Sequence, residues 1–326
     1  MNDLRTLYVM GRRFVRSVGN KLDRIATKYY PPNREFPVFD IVTPCPLVSN
    51  VREVPSHIPR PPYVTKSKRG EERIPERVLI KTPQEIEGIK ASCSLARSVL
   101  NAVGKFVRVG RTTDDLDSFA HDFIIQKGAY PSPLGFNEFP RSICTSVNNI
   151  VVHGIPDERK LKNGDIVTVD VTVYYKGFHG DCAETYLVGE VDFRAKQLIK
   201  AAQHALQSGI ECCGPGVPFE TIGRRTERAA QKHGLSIVPA VTGHGIGRFF
   251  HERPEIIHYC NDSVDGEDYT MKPGMVFTIE PAVSEGTEEV EIYSDGWTVT
   301  TTDNSRAAQF EHTILITDTS YEILTN

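Results

Sequence analysis

From Arg77 onward the apolar positions follow helical and strand periods, and the order of those periods occurs twice. Thr82-Pro83-Gln84-Glu85 reads as a helix start, with a capping hydroxyl, a proline in the first turn and a glutamate three residues after the cap. Ile86, Ile89, Leu95, Val99, Leu100 and Val103 then recur at helical spacing and are expected to face inward over 84–104. A second helix is predicted over 114–127, stopped by Gly128. The unit returns later. A helix over 194–213 precedes Gly216–Gly234 as the first helix precedes Gly110–Gly128. The two glycine intervals are equal, and Leu116 and Ile222 fall at the same place within them. We read an α+β chain built from a pseudo-twofold duplication of helix–helix–β-hairpin units around an antiparallel sheet.

Strand periodicity carries the acidic residues. Over 165–174, Val167, Val169, Val171 and Val173 point one way, and Asp170 lies on the other face with Ile166, Thr168 and Thr172. After a turn at Lys176-Gly177 the chain returns, which sets Asp181 beside Asp170 across an antiparallel pair. In the second half Val276, Thr278 and Glu280 share one strand face, and Glu311 shares another with Gln309, Thr313 and Leu315. Each half is thus expected to offer a pair of carboxylates from a hairpin, with the two pairs face to face.

The first 76 residues are of a different kind. Residues 1–30 carry Arg5, Arg12, Arg13, Arg16, Lys21, Arg24 and Lys28 against Asp3 and Asp23, with apolar residues at helical spacing. That basic, amphipathic composition predicts an organelle transit peptide. Serine is sparse there, Ser17 alone, which favours the mitochondrial matrix over a plastid or the cytoplasm. Nine prolines crowd 31–62 and predict neither helix nor sheet, so 31–76 is expected to be an extended, proline-rich strap or linker ahead of a catalytic domain over 77–326.

Bulk composition narrows the function. The net charge of −4 gives no basic field for nucleic acid. No apolar run is long enough to span a membrane. Seven cysteines, an odd number without any C-x-x-C spacing, fit a reduced compartment and exclude zinc fingers.

Four converging carboxylates would repel one another and be costly to bury unless cations sat between them. Two divalent ions would solve that problem and would activate a water near neutral pH. His244 adds a nitrogen ligand, which favours Mn, Fe, Co or Zn over Mg or Ca. The set Asp170, Asp181, His244, Glu280 and Glu311 is therefore read as one two-metal hydrolytic site.

Five segments make the pattern specific: NIVVHGIP (149–156), DVTVYYKGFHGD (170–181), GHGIGRFFHERP (243–254), FTIEP (277–281) and QFEHT (309–313). In this order, across residues 77–320, they resemble the signature segments of the type I methionine aminopeptidases, organellar form. The resemblance implies the "pita-bread" fold, itself a duplicated unit. It implies that Asp170 chelates one ion, that His244 and Glu280 bind the other, and that Asp181 and Glu311 contact both. It further implies that Glu280 shuttles a proton, that His251 stabilises the oxyanion, and that His153 contacts the leaving side of the scissile peptide. Phe136, Phe139, Cys144, Phe250 and Trp297 match the wall that holds the methionine side chain. Phe136 and Phe139 stand where many members carry tyrosine, and Val152 where a cysteine is common.

The implied activity is removal of the initiator methionine from nascent or newly made chains when the second residue is small, by a monomer, with ribosome contact as a further expectation. Of the other histidines, His312 is expected on the opposite strand face from the ligands and His179 beside them as a supporting residue, whereas His258 shows no partner pattern. Two rivals stand. An X-Pro aminopeptidase or prolidase shares the five ligands but usually has a large N-terminal domain. A non-catalytic pita-bread binding protein generally loses ligands. The type II class carries a long insertion between the last two carboxylates, which is missing between Glu280 and Glu311.

Overall fold

The structure is a computed structural model, and it describes residues 39–45, 49–65, 75–261 and 269–326. The expected transit peptide lies outside the described residues. Among the described residues the proline-rich stretch has no strand, as its missing backbone donors dictate. Those described residues nonetheless form a packed strap and not a free linker. Val42, Val54 and Ile58 are buried. The Val42 N–H donates to Asn149 Oδ1 (2.7 Å) and Asn149 Nδ2 donates back to the Val42 carbonyl (3.0 Å). Arg52 Nε donates to Asp117 Oδ2 (2.8 Å), and Asp117 also accepts the N–H groups of Ser142 and Ile143 (2.7 and 3.0 Å). The strap includes one helical turn, α1 (Pro62–Thr65), which proline content did not predict; a proline at the first position is compatible with a helix start.

Each half then begins with two helices. α2 (Pro83–Phe106) opens on a full capping box between Thr82 and Glu85 and buries Ile89, Cys93, Ala96, Val99, Leu100 and Val103 along one stripe. α3 (Thr113–Gln126) opens on a second capping box, Thr112 with Asp115. In the second half α4 (Phe193–Ile210) is capped by Asp192, and α5 (Glu220–Lys232) follows. The apolar residues form two large clusters, one under α2 and α3 and one under α4 and α5. The duplication read from the sequence is therefore also a duplication of cores.

In chain order the strands are β1 (Tyr130–Pro131), β2 (Cys144–Val147), β3 (Ile150–Val152), β4 (Ile166–Tyr175), β5 (Phe178–Leu187), β6 (Ser236–Ile237), β7 (Gly243–Gly245), β8 (Glu252–Ile256), β9 (Val276–Ile279), β10 (Ala282–Ser284), β11 (Val290–Ile292), β12 (Val299–Thr301), β13 (Ala307–Gln309), β14 (His312–Ile316) and β15 (Tyr321–Ile323). β4 is central in the first sheet, with β5 along one edge and β1 and β2 along the other. The second large sheet runs β15-β14-β9-β7-β8. Two three-stranded sheets, β13-β10-β6 and β11-β12-β3, complete the described strands. The halves are stitched along β5: Ala183 O accepts from the Glu311 N–H (2.9 Å), Asp181 O from Thr313 Oγ1 (2.8 Å), and the His179 N–H donates to Gly247 O (2.8 Å).

Two sequence expectations need correcting. Lys176 and Gly177 form a two-residue turn with φ of 52° and 89°, which fixes the β4–β5 register. Asp170 consequently faces Ala183, and Asp181 faces Thr172, so the aspartates are diagonal neighbours on one face and not directly opposed. Glu280 and Glu311 also do not lie within uninterrupted strands. β9 and β14 pair as far as Ile279 with His312, then the chain passes Pro281 and re-pairs in another sheet as Ala282 with Gln309. Gln309 and Thr313 thus belong to different sheets, and the two glutamates sit where the chain changes from one to the other.

Gly180, immediately before Asp181, lies so close to α2 that an added Cβ would stand 2.3 Å from the Cys93 nitrogen. Gly180→Ala should lower unfolding free energy by about 1–3 kcal/mol, because backbone and not a flexible side chain would have to yield. Denaturant unfolding measures it, and an unchanged midpoint would contradict the packing described.

Candidate active site

The convergence begins with β4 and β5. Asp170 and Asp181 project from the same face, and Thr172 Oγ1, on that face too, donates to Asp181 Oδ1 (2.7 Å). From the other half, the sheet change aims Glu280 and Glu311 at the aspartates. Thr278 Oγ1 donates to Glu280 Oε1 (2.7 Å) and Gln309 Nε2 to Glu280 Oε2 (3.2 Å). β7 contributes His244, whose Nδ1 lies 3.0 Å from the Gly245 carbonyl. Donation there assigns the proton to Nδ1 and leaves the Nε2 lone pair facing Asp181 Oδ2 at 3.8 Å and Glu280 Oε1 at 3.6 Å. The five residues expected as ligands are thus brought to one place.

Their electrostatics describe a site made for cations. Asp181, His244 and Glu311 are buried, and they offer ligand atoms all within 4.8 Å of one another. Asp170 Oδ1 and Glu311 Oε1 are buried without a hydrogen-bond partner. Orphaned carboxylate oxygens of this kind are costly unless something positive faces them. Burial raises the Asp170 carboxyl to about 6 and Glu280 to about 8. Asp181 and Glu311 are pushed well above the usual carboxylate range, by burial first and then by the neighbouring carboxylates. Burial lowers His244 to about 4, so its imidazole is neutral and available as a ligand. The donor set, four carboxylates and one neutral imidazole nitrogen, fits divalent ions.

Around this cluster stand the remaining expected residues. His251 packs against the His244 ring (4.2 Å between centroids) and the Phe250 ring (4.3 Å). Phe136 touches both Phe250 (4.9 Å) and His251 (5.1 Å). Phe139 meets Trp297 edge-on (5.1 Å), and Trp297 meets His153 (5.8 Å). Cys144 is paired in register with Asp170 across β2 and β4, and burial followed by the Asp170 charge pushes its thiol well up, so it is an uncharged wall. His153 holds a φ of 58°, rare for a non-glycine residue, and its Nδ1 is buried without a partner. Burial lowers His153 to about 4 and His251 well below its ordinary value. His312 turns away from the ligands, as alternation required, to Thr325 Oγ1 (2.9 Å) and Arg97 (3.2 Å). His179 bonds Ser132 Oγ through Nδ1 (2.8 Å) and stacks on Phe250 (5.4 Å, 9°).

Sequence reasoning missed several supporting residues. His258, which showed no pattern, sits with Nδ1 3.1 Å from the Val241 carbonyl and with Nε2 accepting the backbone N–H of Glu280 (3.1 Å). Thr172, Thr278 and Gln309 were findable, since each stands two residues from a ligand. Lys81 had no local signal. It is buried in an ion pair with Glu252, whose Oε1 also accepts the Phe249 N–H (3.2 Å). This pair braces the loop that carries Phe250 and His251.

Comparison with known proteins agrees with the geometry. The model of metallopeptidase family M24 matches residues 87–318. The chain is 46% identical over 288 residues to "Methionine aminopeptidase 1D, mitochondrial" of Mus musculus, covering 87% of this chain and 83% of that one. It is 48% identical over 272 residues to "Methionine aminopeptidase 1B, chloroplastic" of Arabidopsis thaliana, covering 83% and 72%. Among solved structures, methionine aminopeptidase from Rickettsia prowazekii superposes with a TM-score of 0.74 at 42% identity, over 77% of this chain and 100% of that one.

Two outcomes follow from the site. The carboxyls hold protons more tightly folded than unfolded, so they lose stability as pH rises towards Glu280's value of about 8. The buried histidines act oppositely, but only below their ordinary 6.5. Between pH ~7 and ~8 the histidine contribution is complete while Glu280 still gives up its proton, at a cost of at most about 1.4 kcal/mol per pH unit. The melting midpoint of chelator-stripped protein should fall across that window, and its gap to metal-loaded protein should widen; parallel, flat profiles would contradict the site. Lys81→Met should cost about 3–5 kcal/mol by leaving Glu252 buried without its partner, and Lys81→Met with Glu252→Gln should recover part of it in denaturant unfolding.

Proposed function

This chain belongs to metallopeptidase family M24, and we propose from that premise how its residues divide the work of peptide hydrolysis. The protein is a metal-dependent aminopeptidase that removes N-terminal methionine, and its substrates are peptides with that terminus. It is mitochondrial, like the mouse relative, which agrees with the serine-poor, arginine-rich first 30 residues. Its fold is the duplicated, mixed α and β pita-bread fold of the family.

The observation that carries the mechanistic reading is the convergence of buried, partly orphaned carboxylates on one neutral imidazole. Two divalent ions fit these residues. Asp170 would hold one, His244 and Glu280 the other, and Asp181 and Glu311 both, with Mn, Fe, Co and Zn favoured by the nitrogen donor. When bound, such ions supply an activated water and polarise the scissile carbonyl. The chain does the rest. Glu280, both oxygens held by Thr278 and Gln309, takes the proton of the attacking water and returns it to the leaving amine. His251, neutral and fixed against His244, donates to the oxygen on which charge develops. His153 donates on the leaving side of the scissile peptide.

Phe136, Phe139, Cys144, Phe250 and Trp297 receive the methionine side chain, since an aromatic and sulfur lining suits a flexible thioether. The closed surroundings of His153 and His251 favour a small second residue. The reading extends to newly made chains as substrates and to a monomeric enzyme.

The test follows free methionine by mass spectrometry, using full-length protein stripped and reloaded with manganese or cobalt. Met-Ala-Ser should release methionine and Met-Glu-Ser should not; cleavage of Ala-Pro-Ala instead would move the specificity to X-Pro peptides. Asp181→Asn and Glu311→Gln should each lower bound metal and cut kcat/KM by about 100-fold or more. Full activity in either variant would overturn the ligand assignment.

A further inference from the structure

We propose that Tyr63, carried on the N-terminal strap, is a positioning residue for the methionine pocket: it fixes Phe136 and His179 from outside and so sets selectivity for the methionine side chain. The proposal rests on the reading of Phe136 and Phe250 as pocket walls.

Three observations carry it. Tyr63 reaches the aromatic cluster directly. Its ring meets Phe136 edge-on (5.1 Å, 78°) and lies nearly parallel to His179 (6.1 Å, 20°). Its hydroxyl donates to the Ser132 carbonyl (2.6 Å), and Ser132 Oγ bonds His179 Nδ1 (2.8 Å). Phe136 and His179 in turn both pack on Phe250. Tyr63 thus holds both supports of one pocket wall.

Phe136 also needs such a hold. It begins a 3₁₀ turn, Phe136–Glu138, whose next residues have positive φ without being glycine: Asn137 at 44° and Glu138 at 69°. Backbone hydrogen bonds to Pro133 and Phe139 close this turn, but its φ values are sparsely populated ones and its tip is exposed, so contacts from outside the turn bear on where the Phe136 ring points.

Finally, the strap is anchored well enough to act as a hold. Arg52 pairs with Asp117 (2.8 Å) and Asp114 (2.9 Å) on α3. Val54 and Ile58 are buried against Tyr130 and Leu134, and Val64, next to Tyr63, packs on the same cluster. A ring mounted on a fixed segment orients its neighbours; a ring on a free tail would not.

The experiment uses the full-length, manganese-loaded protein and steady-state release of the first residue from Met-Ala-Ser and Leu-Ala-Ser. Tyr63→Ala should raise KM for Met-Ala-Ser roughly 3- to 10-fold, the size of a lost aromatic pair, with kcat little changed and the methionine-over-leucine ratio reduced. Tyr63→Phe, which keeps the ring, should stay nearer the parent. Arg52→Ala should shift KM in the same direction, and its effect should not add to that of Tyr63→Ala, because both release the same hold. If Tyr63→Ala does not fold, Tyr63→Leu keeps apolar volume without the ring and replaces it in the test. An unchanged KM and selectivity ratio, or a loss confined to kcat or to metal content, would overturn the proposal. If the parent protein itself releases no methionine, the reading of the site fails and takes the proposal with it; release by the parent with variants indistinguishable from it would overturn the role of Tyr63 alone.

Discussion

The constraint on which this structure turns is the mutual repulsion of four carboxylates gathered into one partly buried space. Asp170, Asp181, Glu280 and Glu311 come from both halves of the duplicated chain, and burial pushes every one of them toward its protonated form. No packing arrangement would assemble them for stability alone. The surrounding fold answers with fixed donors: Thr172, Thr278 and Gln309 each hold one carboxylate oxygen. It leaves other oxygens unmatched, and those define where positive charge belongs. Rigidity in the sheets is the condition for this. Hairpins free to relax would let the carboxylates spread into water.

How far the sequence disclosed this depended on whether a residue's role was local. Asp170 was legible because valines alternate around it. Asp181 was nearly so, and only the two-residue turn at Lys176-Gly177 decided whether it would face Asp170 or Thr172. Glu280 and Glu311 were recognisable in their motifs, but not their setting, because nothing in a period-two pattern announces that Pro281 marks a change of sheet. His258 and Lys81 were invisible for another reason. Their partners, the Glu280 backbone and Glu252, lie far along the chain, so their meaning exists only in the assembled fold. The strap shows the same limit, since proline content reports the absence of regular structure and says nothing about packing.

The histidines illustrate how one residue type serves different ends by environment. Burial keeps His153, His244, His251 and His258 uncharged at neutral pH. Neutrality then makes the tautomer matter. His244 and His258 each have Nδ1 against a carbonyl, Gly245 and Val241, which frees Nε2 as an acceptor. In one case that lone pair faces carboxylates and suits a metal. In the other it takes a backbone N–H and sets the start of the sheet change at Glu280. In the sequence, His244 stands between two glycines and His258 between Ile257 and Tyr259.

The strap also bears on the order in which the molecule can assemble. Tyr63 and Arg52 leave a ribosome or enter a translocation pore well before their partners, Asp114, Asp117, Ser132, Phe136 and His179. Contacts of such wide sequence separation form late, after the loops between them have closed. The carboxylates await a still later event, the arrival of Glu311, which follows all of these residues in the chain. A chain threaded from its N-terminus therefore cannot acquire a working site in stages. Competence arrives once, and only after Glu311 has been delivered.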